Sequence, residues 1–267
     1  MDFLTRYSDV IIDNLALLIP VIAIFTRLSV FMYLLPGLGE TVIPVRIRLG
    51  AAFMMTWILV PVILPGLVLP ELTLPSGALM IAKEGFHGFV LGFAFRLMVF
   101  VLQILGNIMS QALSISQVLG EGIATEPNTT ISTLLMMAGV TLLVTMDLHI
   151  EAIGVFYRSY DAFPLGSAPY MENVAYWMTH KAMGMFSFGV TLGLPFIILN
   201  FVYNLILGFL NRAMPQLMVS FVGMPLITGV GLFLLVVATG SILHFWTESY
   251  VSSFDGIYDL SVRSNEP

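Results

Sequence analysis

Few side chains in this sequence could do chemistry, and most of them stand on one predicted helix. From Ser76 to Gln117 the chain reads SGALMIAKEGFHGFVLGFAFRLMVFVLQILGNIMSQALSISQ, an apolar run carrying Arg96, Gln103, Asn107, Gln111 and Ser114. At 100° per residue these five fall within a sector of roughly 80°. Polar groups left unpaired in an apolar medium are costly, so this face must meet other helices or line a water-filled path. Nearer the start of the run, Glu84 and His87 stand one turn apart, a spacing that suits a proton relay. Lys83 beside them supports a plainer reading, an internal charge cluster. Arg27 lies deep in another apolar run, where a charge is either paired in the protein interior or reaching for an interface. A structural pair is the simpler of the two.

Other chemistry is excluded by type and spacing. Asp147, His149 and Glu151 alternate along the chain, which keeps them off a single helical face and argues against a shared metal. There is no nucleophile elbow, no HExxH, no Walker loop and no aspartate cluster fit to hold a metal with a phosphate. Cysteine is absent, so disulfides, thiolate metal sites and cysteine nucleophiles are excluded together. No catalytic, cofactor or metal site is expected, and the chain does not read as an enzyme.

The elements that position these residues belong to an apolar phase. The chain is 58% hydrophobic and 10% charged, whereas a soluble domain is about 45–50% apolar and about 25% charged. Its net charge of −6 is spread thinly, which leaves no basic patch for nucleic acid and no polybasic membrane tether. The N-terminal MDFLTRYSDVIID lacks a small-residue cleavage pattern and does not read as a cleaved signal peptide. Six apolar segments are expected: Val10 to Leu35, stopped by Pro36-Gly37; Leu49 to Leu69, bent or broken by Pro61 and Pro65; the central helix; Ile131 to Phe156; Ala182 to Leu210, kinked at Gly189, Gly193 and Pro195; and Met218 to Trp246, with Pro225 early. Gly85, Gly88 and Gly92 form a small-residue strip that lets another helix approach closely. YRSYDAFPLGSAPYMENVAYWMTHK reads as an interfacial loop or short amphipathic helix, and the acidic tail from Thr247 as surface. The central helix runs into VLGEGIATEPNTTI, whose Gly120, Gly122 and Pro127, with Glu121 and Glu126, give it the composition of a flexible segment. Alternating the segments across a membrane puts Arg46, Arg48 and Arg212 on one side and Arg6, Arg158, Lys181 and Arg263 on the other, a near balance that fixes no orientation. The fold class is all-α: kinked hydrophobic helical hairpins in one membrane-associated domain over 1–267.

Several phrases, taken together, resemble one family. LILGFLNRAMPQLMVSFVGMPL places Asn211, Arg212, Pro215, Gln216 and Pro225 as in an "LNR-x-x-PQL … P" motif. VIPVRIRLG supplies Pro44, Arg46 and Arg48 where the same family has Ile-Pro followed by basic residues and Gly. His149 with Phe163-Pro164-Leu165-Gly166 resembles a "GH … LP-x-G" pattern, with Asp147-Leu148 standing where Asn-Gly is commoner. GNIMSQALSISQ and TEPN match further positions, Glu126 replacing the usual Asp. The family is the FliR-type component of the bacterial flagellar export gate, whose virulence counterpart belongs to the injectisome.

This resemblance implies a fold like a fusion of two smaller export-gate subunits, and assembly with FliP-type and FliQ-type subunits into a helical cone. An FlhB-type subunit would wrap the entrance. It places the chain at the flagellar basal body in the bacterial inner membrane, with unfolded flagellar export substrates passing through the pore. It makes the segment from Gln111 to Asn128 a plug, including Ser114, Ser116, Gln117, Gly120, Glu121, Gly122, Glu126 and Pro127. Arg46 and Arg48 would contact partner chains or the entrance, while Asn211, Arg212 and Gln216 would cap and join the last two helices. Two other readings stand beside it. A self-contained secondary transporter would use the Arg96–Gln111 stripe as its path and Glu84 and His87 for protons. A virulence-type gate would carry a Lys shortly after the last motif proline, where this chain has Pro225-Leu226-Ile227-Thr228.

Overall fold

Long apolar runs with few breakers give long helices. The computed structural model describes residues 2–39, 43–64, 74–113, 129–169, 171–214 and 219–252. Among these the elements are α1 (Asp2–Leu34), α2 (Val45–Ile63), α3 (Leu74–Ala112), α4 (Thr130–Thr145), α5 (Leu148–Ala162), α6 (Met171–Ala213) and α7 (Val219–Ser252), with no strand. By length and apolarity α2, α3, α6 and α7 could each cross a membrane, and α4 with α5 would make a fifth, broken span. The all-α expectation holds.

Three local expectations need correction. The segment from Ile131 to Phe156 is two helices, with axes bent by 73° at Met146-Asp147. Asp147 adopts φ 55 and ψ 20. It is the one non-glycine residue with positive φ among the described residues, a conformation that Asp tolerates better than most residues. Pro61 lies in the last turn of α2, which ends at Ile63; Pro65 lies outside the described residues. The polar-aromatic stretch after Phe156 is not one loop: its first residues complete α5, a turn with Gly166 at φ 75 follows, and α6 begins at Met171. Helix α7 continues to Ser252, with Trp246, Thr247 and Tyr250 buried, so the surface tail does not begin at Thr247.

The chain divides into two compact units. The first gathers Met1–Arg96 and Asp147–Thr179, hence α1, α2, α5 and the beginnings of α3 and α6. The predicted glycine strip is where α1 crosses α3: a Cβ on Gly88 would run into the Arg27 carbonyl oxygen, and one on Gly92 would lie 2.7 Å from Leu34 Cβ. Phe31 of α1 stacks edge-on against Phe95 of α3 at 5.3 Å and tilts against Phe156 of α5 at 5.5 Å. The second unit gathers Leu97–Met146 and His180–Val251. Its core is the indole of Trp246, which donates to the Met98 carbonyl at 2.9 Å. Glycine lets its helices close in: a Cβ on Gly106 would overlap the Ser132 backbone, and one on Gly193 would lie 3.0 Å from Ile108.

Candidate functional site

The first unit is built around a buried charge. Arg27, on the inner face of α1, and Glu84, one turn from His87 on α3, are both fully inaccessible to solvent. Arg27 Nε donates to Glu84 Oε2 at 2.6 Å and Nη2 donates to Oε1 at 3.1 Å, a bidentate fork. Nη2 also reaches His87 Nδ1 at 3.1 Å and the Phe163 carbonyl at 2.9 Å, while Nη1 donates to Ser159 Oγ at 3.2 Å. The Ser159 hydroxyl donates in turn to the Phe156 carbonyl at 2.6 Å. The Tyr160 ring lies under the guanidinium, 3.9 Å from Cζ, and Phe163 stacks on the His87 ring at 4.9 Å. Glu84 Oε1 accepts a further bond from the Gly166 backbone N–H at 2.9 Å, and Lys83 Nζ donates to the Gly166 carbonyl at 3.1 Å. One ion pair thus ties α1, α3, α5 and the turn after α5 together.

This arrangement replaces the relay reading of Glu84 and His87. Both carboxylate oxygens already accept from Arg27, and His87 Nδ1 lies 3.8 Å from Glu84, beyond hydrogen-bond range. The charge cluster is real, but its cation is Arg27 rather than Lys83. A partner 57 residues away in sequence leaves no local spacing signal. The available clue was the pair of isolated charges in apolar runs, each needing the other.

The polar stripe of α3 divides between environments. Gln103 Nε2 donates to Met136 Sδ of α4 at 3.1 Å. Asn107 Oδ1 accepts from the hydroxyl of Thr129 at 3.2 Å, and Thr129 also caps α4 by accepting from the Ser132 N–H at 3.3 Å. Both amides line an open groove of about 300 Å³ in the second unit, among Phe100, Ile104, Met185 and Phe186. Arg96 is half-buried and Gln111 exposed. Ser114, Ser116, Gln117, Gly120, Glu121, Gly122, Glu126 and Pro127 lie outside the described residues.

The motif residues are scattered. Pro44 caps the start of α2, with Arg46 exposed after it. Arg48 turns inward: its Nε donates to the Ile43 carbonyl at 3.0 Å and its guanidinium lies over the Tyr33 ring. His149 is exposed in the first turn of α5, and Pro225 is exposed within α7. Asn211 and Arg212 are exposed in the last turn of α6, where a cation faces the carbonyl end of the helix dipole. Pro215 and Gln216 lie outside the described residues. Among the described residues no group of three or more His, Asp or Glu is placed to hold a metal ion.

A family model described as bacterial export proteins, family 1, matches residues 18–252. Over 233 residues the chain is 31% identical to the flagellar biosynthetic protein FliR of Caulobacter vibrioides, covering 87% of this chain and 93% of that protein. It is 28% identical over 226 residues to the protein of the same name from Escherichia coli, covering 84% and 86%. A Bacillus subtilis protein, again a flagellar biosynthetic protein FliR, is 28% identical over 223 residues, covering 80% and 83%.

Proposed function

The chain belongs to the bacterial export proteins, family 1, and on that premise we propose that it forms, with other subunits, the gated pore of the flagellar protein export apparatus. It is a membrane-embedded component of that apparatus. Its partners in the pore are FliP-type and FliQ-type subunits, with an FlhB-type subunit at the entrance, in the inner membrane at the basal body. Its cargo is unfolded flagellar protein in transit.

The observation that carries this reading is the uncovered surface of α6. Met183, Phe186, Phe201 and Phe209 are all exposed. From Met183 to Phe209 the helix contour is about 39 Å at ~1.5 Å per residue, against about 30 Å for a bilayer's hydrocarbon core. Lipid cannot cover all of it. Exposed Asn204, whose amide nitrogen donates to the backbone and side-chain oxygens of Asn200, and exposed Asn211 interrupt the same surface, and amide groups on such a face suit polar partners on neighbouring helices. Protein of similar character is the cover that fits.

Gating falls to the segment from Gln111 to Asn128. Both of its flanks are held within the second unit: the Leu113 carbonyl accepts from Thr228 Oγ1 at 2.9 Å, and Thr129 is bonded to Asn107 and to the start of α4. A glycine-bearing acidic segment between two fixed points has the composition to occlude a pore and be displaced by a passing chain. Pro225-Leu226-Ile227-Thr228, without the lysine of the virulence relatives, supports the flagellar branch, as do the relatives named above.

The test is the native mass and subunit composition of the tagged protein extracted from its own host. A discrete complex with several copies of two smaller apolar proteins is expected. A stable lone monomer or homodimer overturns the proposal. Deleting 115–126 within such a complex is expected to raise ion leakage across the host membrane while the complex still assembles.

A further inference from the structure

Nothing in the local sequence tells α3 to stop. The seven residues after Ala112, LSISQVL, contain no glycine, asparagine or proline, the residues that ordinarily close a helix. Yet α3 ends at Ala112. The stop comes from α7. The Leu113 N–H bonds back to the Met109 carbonyl at 2.9 Å. The Leu113 carbonyl, one of those that a helix end leaves over, accepts from Thr228 Oγ1 at 2.9 Å. One turn further along the same face of α7, Gly231 makes room for the fully buried Leu113 side chain. A Cβ on Gly231 would overlap Leu113 Cδ2, and the three atoms nearest to it all belong to Leu113. A second contact sets the register. Trp246, 15 residues beyond Gly231 on α7, donates to the carbonyl of Met98, 15 residues before Leu113 on α3. The two helices therefore run antiparallel in matched steps, tied at both ends of the shared stretch.

The two ties differ in how easily they part. Trp246 is fully buried and its indole N–H donates to the Met98 carbonyl; breaking that bond strands a buried donor. Thr228 is half-buried, and its hydroxyl also reaches the Met224 carbonyl of its own helix at 3.0 Å. It keeps an acceptor whether or not Leu113 is in place. We infer that Thr228 and Gly231 form a releasable latch of α7 on the end of α3, with Trp246 as the pivot that stays. The latch fixes where α3 stops, and with it the entry to the segment that follows. The far flank of that segment is held by α3 and α4, through Thr129, Gly106 and Asn107, so α7 commands one end only. The latch itself rests on these contacts alone; its use in freeing a gate rests on the gating reading above.

Hydrogen exchange of the full chain, purified with whatever subunits accompany it, tests the latch. Thr228→Val removes the hydroxyl and keeps the shape, whereas Thr228→Ser keeps the hydroxyl. In Thr228→Val the amides from Met109 to Leu113 are expected to exchange several-fold to about tenfold faster, which is what one ordinary hydrogen bond is worth. In Thr228→Ser they keep the parent rate. Gly231→Ala is expected to act as the valine variant does, and adding Leu113→Ala to restore part of the protection. Amides around Met98 keep the parent rate in every variant. Unchanged exchange over 109–113 in Thr228→Val overturns the latch. An equal rise around Met98 overturns it too, since it would mean general loosening. If Gly231→Ala fails to fold, the valine variant gives the reading, because it leaves the volume as it was. Ion leakage across the host membrane then tests what the latch does. Thr228→Val in the assembled complex is expected to leak more than the parent and less than the deletion of 115–126. No leak with valine where the deletion leaks overturns the release role. No leak with the deletion overturns the gating reading and the release role with it, while the latch is still judged by exchange.

Discussion

In the first unit Arg27 has its guanidinium committed to Glu84, His87, Ser159 and Phe163 with no solvent contact. In the second, the amides of Gln103 and Asn107 reach a thioether and a hydroxyl and then border an open groove. Both units use glycine to bring helices together, at Gly88 and Gly92 in one and at Gly106, Gly139 and Gly193 in the other. What separates them is where polar groups end. The first unit turns its buried arginine inward onto a carboxylate and a backbone carbonyl of the same unit, and the outward face of α2 is apolar. The second leaves amides on its outer surfaces and exposes apolar side chains along α6 and α7, including Phe233 at 72% and Val236 at 76%.

The largest test of this contrast is Arg27→Met. It leaves Glu84 as a buried carboxylate with the Gly166 N–H and, 3.8 Å away, only the His87 ring, and removing one partner of a buried pair costs about 3–5 kcal/mol. Thermal unfolding of the extracted protein should fall sharply. The double variant Arg27→Met with Glu84→Leu should recover much of the loss, because an apolar pair of similar volume avoids the uncompensated charge. If the single variant is as stable as the parent, the first unit is not held by its ion pair and the contrast fails.

Gly106→Ala addresses the second unit. A Cβ there meets the Cα and N of Ser132, which are backbone atoms and cannot rotate aside. Helices α3 and α4 must separate, at a cost of about 1–3 kcal/mol. Gly154→Ala is the control: nothing lies within 4 Å of its Cβ position, and alanine in an exposed helix interior gains roughly 0.5–1 kcal/mol over glycine. Opposite shifts in melting temperature are expected for the two. Equal shifts would mean that close packing does not hold α3 to α4.

Much of this was legible in the sequence. Pro36-Gly37 closes α1 where expected, and Gly37 adopts a positive φ there. The Gly85–Gly92 strip is a helix crossing. The stripe from Arg96 to Gln111 does face other elements over Gln103 and Asn107. Two things were not legible. The pairing of Arg27 with Glu84 depends on tertiary approach, and adjacent Lys83 offered a nearer but wrong partner. The break between α4 and α5 lies inside a continuous apolar run whose one anomaly, Asp147-Leu148, carries neither glycine nor proline. Pro61, Pro195 and Pro225 sit inside α2, α6 and α7. In an apolar setting a lost helical bond has few competing partners to stabilise a break.

The same turn gives the smallest expected effect, a slight gain in stability. Asp147 holds φ 55 with no side-chain cap bond to α5, so its side chain does not offset the cost of the left-handed backbone. A non-glycine residue in that region costs of order 1 kcal/mol or more. Glycine removes the clash and asparagine reduces it, although glycine also makes the unfolded chain more flexible, which takes back part of the gain. Asp147→Asn is therefore expected to raise the melting temperature slightly and Asp147→Gly by a similar or somewhat larger amount, within about 1 kcal/mol of the parent. Asp147→Val reverses the sign, since a β-branched side chain is a true outlier at positive φ. The bend is also where the chain passes between units, at Met146-Asp147. If valine is tolerated as well as asparagine, the left-handed turn is not what sets the break, and the division at that point has another cause.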